Sequence, residues 1–295
     1  MTSDGSVRAA SSTTDLEYHV VDVFTARAFA GNPLAVVLGG DDLTPAQMQA
    51  IATEFNLSET TFPLPPTADG ADYRLRIFTP AAELPFAGHP SVGSAWLLHS
   101  LGRLGAGERR QECGAGVLPI TVFADGAELT GGAPTLSDPI DAAPALAAVG
   151  LRAADLDPVA PVRRCGTGLE FLMLPLASRE AVDRASPLGG GLRDVGQVLL
   201  AHWSDGTAYA RMFAPGLGVT EDPATGSAAL GFGVWLAASG LVPVDGSTPY
   251  VIEQGHAMGR PSLLQGTVET AGGRAVRCRV RGAVVPVATG RIRVP

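Results

Sequence analysis

The stretch Arg211–Gly240 reads RMFAPGLGVTEDPATGSAALGFGVWLAASG, and a similar stretch, RIFTPAAELPFAGHPSVGSAWLLHSLG, occurs at Arg76–Gly102. Both open with Arg, an apolar residue, Phe, a small residue and Pro, and both continue to Pro-x-x-Gly and one polar residue. Each then enters a run of small and apolar residues that contains one Trp and stops at Gly, where a helix can end. A repeat of this length predicts a duplicated architecture with two related halves, because solenoid units are shorter and more numerous.

The repeated unit predicts a strand that ends at Pro, a loop, and a Gly that allows close backbone approach where a helix begins. Free N–H groups at a helix start carry partial positive charge and hold anions. Two such units facing each other would form one cleft with anion-binding ends at Gly88 and Gly226. A tight turn alone would explain either Gly, but two matched copies that carry His89, Glu221 and Asp222 favour a binding site.

Composition narrows the classes of function. The 295 residues suffice for two domains, and a net charge of −8 without a basic cluster argues against nucleic acid or an anionic membrane as partner. No apolar run reaches the roughly 20 residues that a membrane span needs. The cysteines Cys113, Cys165 and Cys278 have no zinc spacing, so we expect a reduced chain in the cytoplasm. Residues 1–15 are Ser/Thr-rich, and we expect a disordered lead-in that is not a secretory signal.

Hydrophobic periodicity predicts strands separated by single helices, twice over, which indicates a mixed α+β protein. Thr44 followed by Pro predicts the N-cap of a helix over 45–55. In the strand expected over 57–62, alternation places Glu59 on the same face as Thr61. A lone Glu at a strand start is usually exposed, so periodicity alone assigns Glu59 no role.

In the second half, Ser178 is the expected N-cap of a helix, and two separate strands are expected over 275–280 and 282–287. We place a domain boundary near the Gly- and Pro-rich stretch 131–144. The predicted units are an N-terminal domain over 16–133 and a C-terminal domain over 134–295. No G-x-G-x-x-G in a strand-to-helix setting and no P-loop occurs, so nucleotide binding is not expected.

Several ordered motifs make the chain similar to the PhzF family. They are GNPLAV at 31–36, NLSET at 56–60, FTP at 78–80 with ELPFAGHP at 83–90, EDPATGSA at 221–228, and QG at 254–255 with MGRP at 258–261. The resemblance implies a diaminopimelate epimerase-like fold with two pseudo-symmetric domains. Each domain would be a sheet wrapped around a central helix, with the active site in the cleft between the domains. It also implies a homodimer.

The resemblance further implies roles for individual residues. Glu59 is the expected proton-transferring base, with His89 and Asp222 as the other catalytic residues. The expected substrate-binding residues are Gly88, Thr225, Gly226 and Ser227. No metal or organic cofactor is expected, because a carboxylate with its pKa raised by apolar neighbours can carry a proton between carbons. The histidines show no ligand spacing, and whether His256 lines the cleft is left open.

The implied function is that of a cofactor-independent isomerase in secondary-metabolite biosynthesis. It would move a proton within a small cyclic amino acid, such as trans-2,3-dihydro-3-hydroxyanthranilate, and its partner would be a small molecule that carries a carboxylate and an amine. One alternative is an isomerase or epimerase of a different amino-acid-like substrate, and another is a non-catalytic ligand-binding relative. A two-thiol racemase mechanism would need a cysteine at each helix start, where the chain has His89 and the segment 222–227.

Overall fold

The computed structural model describes residues 15–158, 160–187, 191–217 and 219–295, and the fold below is that of these residues. They form a mixed α+β structure in which strands outnumber helices, as the periodicity predicted. Of the expected lead-in, residues 1–14 lie outside the described residues, and Asp15 is the first residue of a strand. None of the described helices is long and apolar enough to cross a bilayer.

In the first half of the chain, two helices are set among strands. The strands are β1 (Asp15–Val23), β2 (Asn32–Leu38), β3 (Glu59–Leu64), β4 (Tyr73–Phe78), β5 (Glu83–Leu84), β6 (Gly107–Cys113), β7 (Gly116–Phe123) and β8 (Gly126–Thr130). The helices are α1 (Pro45–Phe55) and α2 (Gly88–Ser100). Thr44 caps α1 as predicted, because its hydroxyl accepts from Gln47 N while the Gln47 side chain accepts from Thr44 N.

The second half repeats this mixture. Its strands are β9 (Thr135–Leu136), β10 (Arg163–Gly166), β11 (Glu170–Pro175), β12 (Val198–Ser204), β13 (Thr207–Ala214), β14 (Val219–Asp222), β15 (Gly246–Gln254), β16 (Ser262–Ala271) and β17 (Arg274–Arg293). Its helices are α3 (Ala143–Ala148), α4 (Arg179–Arg184), α5 (Leu192–Val195) and α6 (Gly226–Ala238). Ser178 caps α4 as predicted. The two strands expected over 275–280 and 282–287 are one continuous strand, β17, so that expectation was wrong.

The same succession of strand pairings occurs twice. In the first half, β2 is parallel to β3, β3 antiparallel to β4, β4 parallel to β6, and β6, β7 and β8 form an antiparallel series. In the second half, β11, β12, β13, β15, β16 and β17 follow one another with the same directions. The helices α2 and α6 occupy equivalent places, each after a short strand. The repeated sequence stretches therefore correspond to repeated topology.

Both repeated helices are buried along nearly their whole length by strands around them. Strands β1, β2, β3, β7, β8 and β17 contact α2, whereas β9, β10, β11, β16 and β17 contact α6. Small residues allow this approach: a Cβ added to Gly93 of α2 would lie 2.7 Å from side-chain atoms of Leu34 and Val23. A Cβ on Gly231 of α6 would lie 2.7 Å from the Cys165 carbonyl oxygen. The glycine content of these helices thus permits close helix–sheet packing.

Strand β17 joins the two halves, because it pairs with β16, with β8 and with β1. Its pairing with β1 runs from Asp15 opposite Arg293 to Val23 opposite Val284. One core cluster accordingly contains residues from both halves. The domain limits at 16–133 and 134–295 stay a prediction.

Candidate active site

Four polar side chains from distant segments meet beside the first turn of α2. Asn32 is the first residue of β2, Glu59 the first of β3, His89 the second of α2 and Asp222 the last of β14. Glu59 shares a face of β3 with Thr61, whose hydroxyl contacts a serine of α2, so strand alternation directs Glu59 toward α2 as well. The structure therefore brings together the three residues predicted to be catalytic.

The contacts within this group are short and enclosed. His89 Nε2 lies 3.4 Å from Glu59 Oε2, and only 5% and 14% of the two side chains are exposed. Asn32 Nδ2 donates a hydrogen bond of 2.7 Å to Asp222 Oδ1 and one of 3.0 Å to the carbonyl oxygen of Ala224. The same nitrogen lies 3.2 Å from His89 Nδ1. Asn32 therefore links the two catalytic candidates that come from opposite halves of the chain.

The other oxygen of Asp222 is also hydrogen-bonded. Thr225 Oγ1 donates to Asp222 Oδ2 at 2.5 Å, and Gln254 Nε2 lies 3.1 Å from Thr225 Oγ1. Gln254 Nε2 also donates to the Asp222 carbonyl oxygen at 2.7 Å. Thr225, predicted to bind substrate, thus supports Asp222 with its hydroxyl. The orientation of the Asp222 carboxylate is held from both sides.

Burial changes the pKa of all three candidates. It raises the pKa of Glu59 from 4.5 to about 8, and the nearby negative charge of Asp222 raises it further in the same direction. Burial also raises the pKa of Asp222, to about 6, against the opposing effect of the hydrogen bonds from Thr225 and Asn32. It lowers the pKa of His89 to about 3. At neutral pH the site therefore contains a neutral imidazole, an ionised Asp222 and a Glu59 close to its titration range.

A cavity opens in front of this group. Its polar lining includes Ser58, Gln197 and Ser227 as well as Glu59, His89 and Asp222. The apolar part of the lining is Leu84, Phe86, Ala87, Leu169, Phe171, Met212, Ala214 and Val219. No Lys or Arg side chain is among the lining residues that the structure describes. The cavity therefore combines an apolar wall with two carboxyl groups, and any anion in it depends on neutral donors.

The starts of α2 and α6 meet at the edge of this cavity. Gly88 and Gly226 are the first residues of the two helices, and both line the cavity with Ser227. A Cβ added to Gly88 would lie 2.9 Å from Ser227 N and 3.1 Å from Gly226 Cα. The cap residues Ala87 and Thr225 make no side-chain capping bond to their helices. Uncapped N–H groups at two adjoining helix starts are suited to hold a carboxylate.

Glu221 and Asp222 are adjacent in sequence but have different surroundings. Glu221 pairs with Arg211 at 2.8 Å and does not line the cavity, so the expectation that both acids belong to the site holds only for Asp222.

Asn32 is a residue of the site that the sequence did not predict. Its side chain is fully buried between the catalytic candidates. The sequence feature that could have pointed to Asn32 is a polar residue before Pro33, at the start of an otherwise apolar strand.

The other candidate groups lie elsewhere. Burial raises the pKa of Cys165 and of Cys278 to about 12, and neither lines the cavity. His256 lies against the ring of Tyr209, with 5.3 Å between ring centroids, and is not part of the cavity lining. Within the described ranges, no group of three or more His, Cys, Asp or Glu side chains is placed to hold a metal ion.

Comparisons with known proteins place the chain in a family. Residues 21–290 match the family model PhzC-PhzF, described as phenazine biosynthesis-like protein. An uncharacterized isomerase of Mesorhizobium japonicum is 37% identical over 297 residues, which cover 93% of this chain and 98% of the relative. Trans-2,3-dihydro-3-hydroxyanthranilate isomerase of Pseudomonas aeruginosa is 35% identical over 292 residues, 93% of this chain and 98% of that enzyme.

Solved structures agree with this assignment. A phenazine biosynthesis protein of the PhzF family from Bacillus anthracis superposes with a TM-score of 0.84 at 25% identity, covering 95% of this chain and 99% of that one. A probable proline racemase from Agrobacterium radiobacter reaches a TM-score of 0.68 at 13% identity, covering 95% and 93% of the two chains. The second likeness concerns the fold alone and places the chain among epimerase-like folds.

Proposed function

The chain belongs to the phenazine biosynthesis-like (PhzC-PhzF) family of isomerases, and we propose that it moves one proton between two carbon atoms of a small cyclic amino acid. No cofactor takes part in the proposed reaction. The observation that carries the proposal is the position of Glu59, which faces the cavity beside His89 and within the influence of the Asp222 charge. We propose that the cavity is the cleft between two pseudo-symmetric domains.

In the proposed reaction, ionised Glu59 removes a proton from one carbon, and the electron pair of that C–H bond moves into the adjacent conjugated system. Protonated Glu59 then returns the proton to a second carbon, where a new C–H bond forms. Substrate and product are isomers, and Glu59 ends in the state in which it began. A pKa raised to about 8 suits both steps, because the carboxyl group then gains and loses a proton near neutral pH.

The remaining groups would hold the substrate. N–H groups at Gly88, Gly226 and Ser227 would bind its carboxylate at the two helix starts. Ionised Asp222 would accept a hydrogen bond from its amine or hydroxyl group. Neutral His89 would stabilise the charge that develops in the transition state by donating a hydrogen bond.

We propose trans-2,3-dihydro-3-hydroxyanthranilate as the first substrate to test. The relative from Pseudomonas aeruginosa is named for its isomerisation. The apolar wall with Phe86 and Phe171 is suited to a six-membered ring, and the helix starts are suited to one carboxylate. The second candidate is a different amino-acid-like substrate from another natural-product pathway. It is favoured by the lining itself, since Gln197 presents a polar group within an otherwise apolar wall and would discriminate among ring substituents.

Proton NMR of the purified protein in heavy water tests the proposal. We expect the protein to convert trans-2,3-dihydro-3-hydroxyanthranilate, and we expect Glu59→Gln to abolish turnover together with any deuterium incorporation that accompanies it. Glu54→Gln is the matched control, because it makes the same change at an exposed carboxylate of α1 and should retain activity. Undiminished turnover in Glu59→Gln would remove Glu59 from the proposed role. Turnover of other cyclic amino acids without turnover of this compound would favour the second candidate.

The assembly and location of the protein are part of the same proposal. We propose a homodimer that works in the cytoplasm, supported by the family membership. Light scattering coupled to size-exclusion chromatography measures the assembly, and a mass that corresponds to one chain of 30.2 kDa would contradict it.

A further inference from the structure

The amide of Asn32 has more acceptors than hydrogens. Its nitrogen lies 2.7 Å from Asp222 Oδ1, 3.0 Å from the Ala224 carbonyl oxygen and 3.2 Å from His89 Nδ1. An amide nitrogen carries two hydrogens, so three acceptors share two donors. Meanwhile Asn32 Oδ1 is buried and makes no hydrogen bond to any residue that the structure describes. The acceptors around Asn32 therefore favour the orientation in which its NH2 group, and not its oxygen, faces them.

The opposite orientation of the amide is unfavourable. It would turn Oδ1 toward the Asp222 carboxylate and the Ala224 carbonyl, both of which are acceptors. Two buried acceptors without donors would be left facing each other, which is costly in an interior that water does not reach. The placement of the nitrogen therefore follows from the protein groups around it.

This placement determines the form of the imidazole. Nδ1 faces an amide NH2 group, which offers hydrogens and accepts none, so a hydrogen on Nδ1 would point at another donor. The neutral ring therefore carries its hydrogen on Nε2. Burial lowers the pKa of His89, so the ring is neutral at pH 7. Its Nε2 lies 3.4 Å from Glu59 Oε2 and makes no hydrogen bond within the described part of the chain. The N–H of His89 is therefore directed toward Glu59 and the cavity.

We propose that Asn32 is a positioning residue that holds His89 as an Nε2–H donor, so that a proton taken up by Glu59 returns to the substrate and does not pass to the imidazole. The inference rests on the proposed function for its second part. An Nε2 that already carries hydrogen has no free lone pair with which to accept the proton from Glu59. Protonation of the other nitrogen, Nδ1, would form an imidazolium, which burial disfavours. The transferred proton then stays on Glu59 until the second carbon receives it.

The tautomer of His89 tests the first part without any substrate. In a protein labelled with ¹⁵N-histidine, two-bond ¹H–¹⁵N spectra distinguish the protonated from the unprotonated ring nitrogen, and loss of signals in His89→Gln identifies the residue. We expect a hydrogen on Nε2 in the wild-type protein. We expect Asn32→Asp to move it to Nδ1, because a carboxyl group that shares a proton with Asp222 presents an acceptor to that nitrogen. Asn56→Asp makes the same change at an exposed position where Asp is tolerated, and should leave the tautomer unchanged.

The fate of the proton tests the second part. With trans-2,3-dihydro-3-hydroxyanthranilate deuterated at the migrating position, we expect the wild-type protein to retain label in the product. We expect the retained fraction to fall in Asn32→Asp. An unprotonated Nε2 can accept the label from Glu59, because the new carboxylate at position 32 stabilises the imidazolium that forms, and the ring then releases the label to water. A merely structural role for Asn32 would reduce turnover but leave this fraction unchanged.

The outcomes separate this inference from the proposed function. A hydrogen on Nδ1 in the wild-type protein overturns the positioning role whatever the activity, and this measurement needs no folded variant of Asn32. An unchanged tautomer in folded Asn32→Asp overturns it as well. An unchanged retained fraction overturns the second part. Absence of turnover with the expected tautomer counts against the proposed substrate and leaves the positioning role supported.

Discussion

Arg260 forms an ion pair with Asp22, and its Nε donates a hydrogen bond of 2.8 Å to the carbonyl oxygen of Gly31. These contacts join the segment before β16 to the end of β1 and to the loop between β1 and β2. Asp22 also accepts a hydrogen bond of 2.7 Å from Phe29 N in that loop. Asn32 is the residue after Gly31. The Arg260 contacts therefore fix the backbone next to Asn32 and so help to position its side chain in the candidate active site.

Arg260→Ala should destabilise the protein by about 3 kcal/mol, because it leaves the buried Asp22 carboxylate without its cation. The free energy of unfolding in denaturant measures the effect. Arg179→Ala is the control: its ion pair with Glu253 has side chains that are 54% and 32% exposed, so its loss should change stability by less than about 1 kcal/mol. Equal effects of the two substitutions would contradict a structural role for the Arg260 contact.

Glu59 should make the stability of the protein fall as pH rises. Its pKa is about 8 in the folded state against an ordinary value of 4.5, so the folded state holds a proton that the unfolded state has released between these values. The pKa of Asp222 is about 6 in the folded state against an ordinary 3.8, so Asp222 changes the stability only between these two pH values. The pKa of His89 is about 3 against an ordinary 6.5, so His89 acts only between about pH 3 and pH 6.5. Among the three, Glu59 alone acts between pH 6.5 and 8.

Comparison of the wild-type protein with Glu59→Gln measures this contribution. Between pH 6.5 and 8.5, the wild type should lose about 2 kcal/mol of stability relative to the variant, at roughly 1.4 kcal/mol per pH unit. Thermal or denaturant unfolding at the two pH values gives the difference. If the two proteins lose stability in parallel, the Glu59 carboxyl does not retain a proton in the folded state.

The pH dependence of kcat/KM should report the same group if the proposed function holds. Activity of the free enzyme requires ionised Glu59, so kcat/KM should rise with pH toward a midpoint near 8. Asp222→Asn removes the negative charge that helps to raise this pKa, so the midpoint should shift to lower pH while the plateau falls. Glu54→Gln, at an exposed position, should leave the midpoint in place. A midpoint that does not move in Asp222→Asn would contradict the coupling of the two carboxyl groups.

Gly88→Ala should disturb the contact of the two helix starts. The added methyl group would lie 2.9 Å from Ser227 N and 3.1 Å from Gly226 Cα, and backbone atoms cannot turn aside as a flexible side chain can. A displacement of catalytic groups by about 1 Å can reduce activity by roughly 100-fold, and we expect a loss of this order in kcat/KM. Gly216→Ala meets no atom within 4 Å and should leave activity unchanged. Circular dichroism and thermal unfolding verify that both variants are folded.

Local chemistry explains which parts of the fold could be predicted. The Thr44 cap depends on a hydroxyl and a backbone N–H three residues away, and the common face of Glu59 and Thr61 depends only on strand alternation. Strand β6 was not predicted because its sequence GERRQEC is mostly polar. Its buried residue, Gln111, is satisfied by hydrogen bonds with Tyr73 and Ser91, which come from other parts of the chain.

The sequence by itself determined the caps, the alternation and the repeated motif, and its resemblance to a family supplied the candidate catalytic residues. Only the tertiary structure decided that Asp222 faces the cavity while Glu221 pairs with Arg211, and that Asn32 bridges Asp222 to His89. The physical reason is that a pKa or a hydrogen bond at a buried site depends on which groups surround it. For Glu59 those groups come from distant segments, and their desolvation and charge act only once the chain has folded.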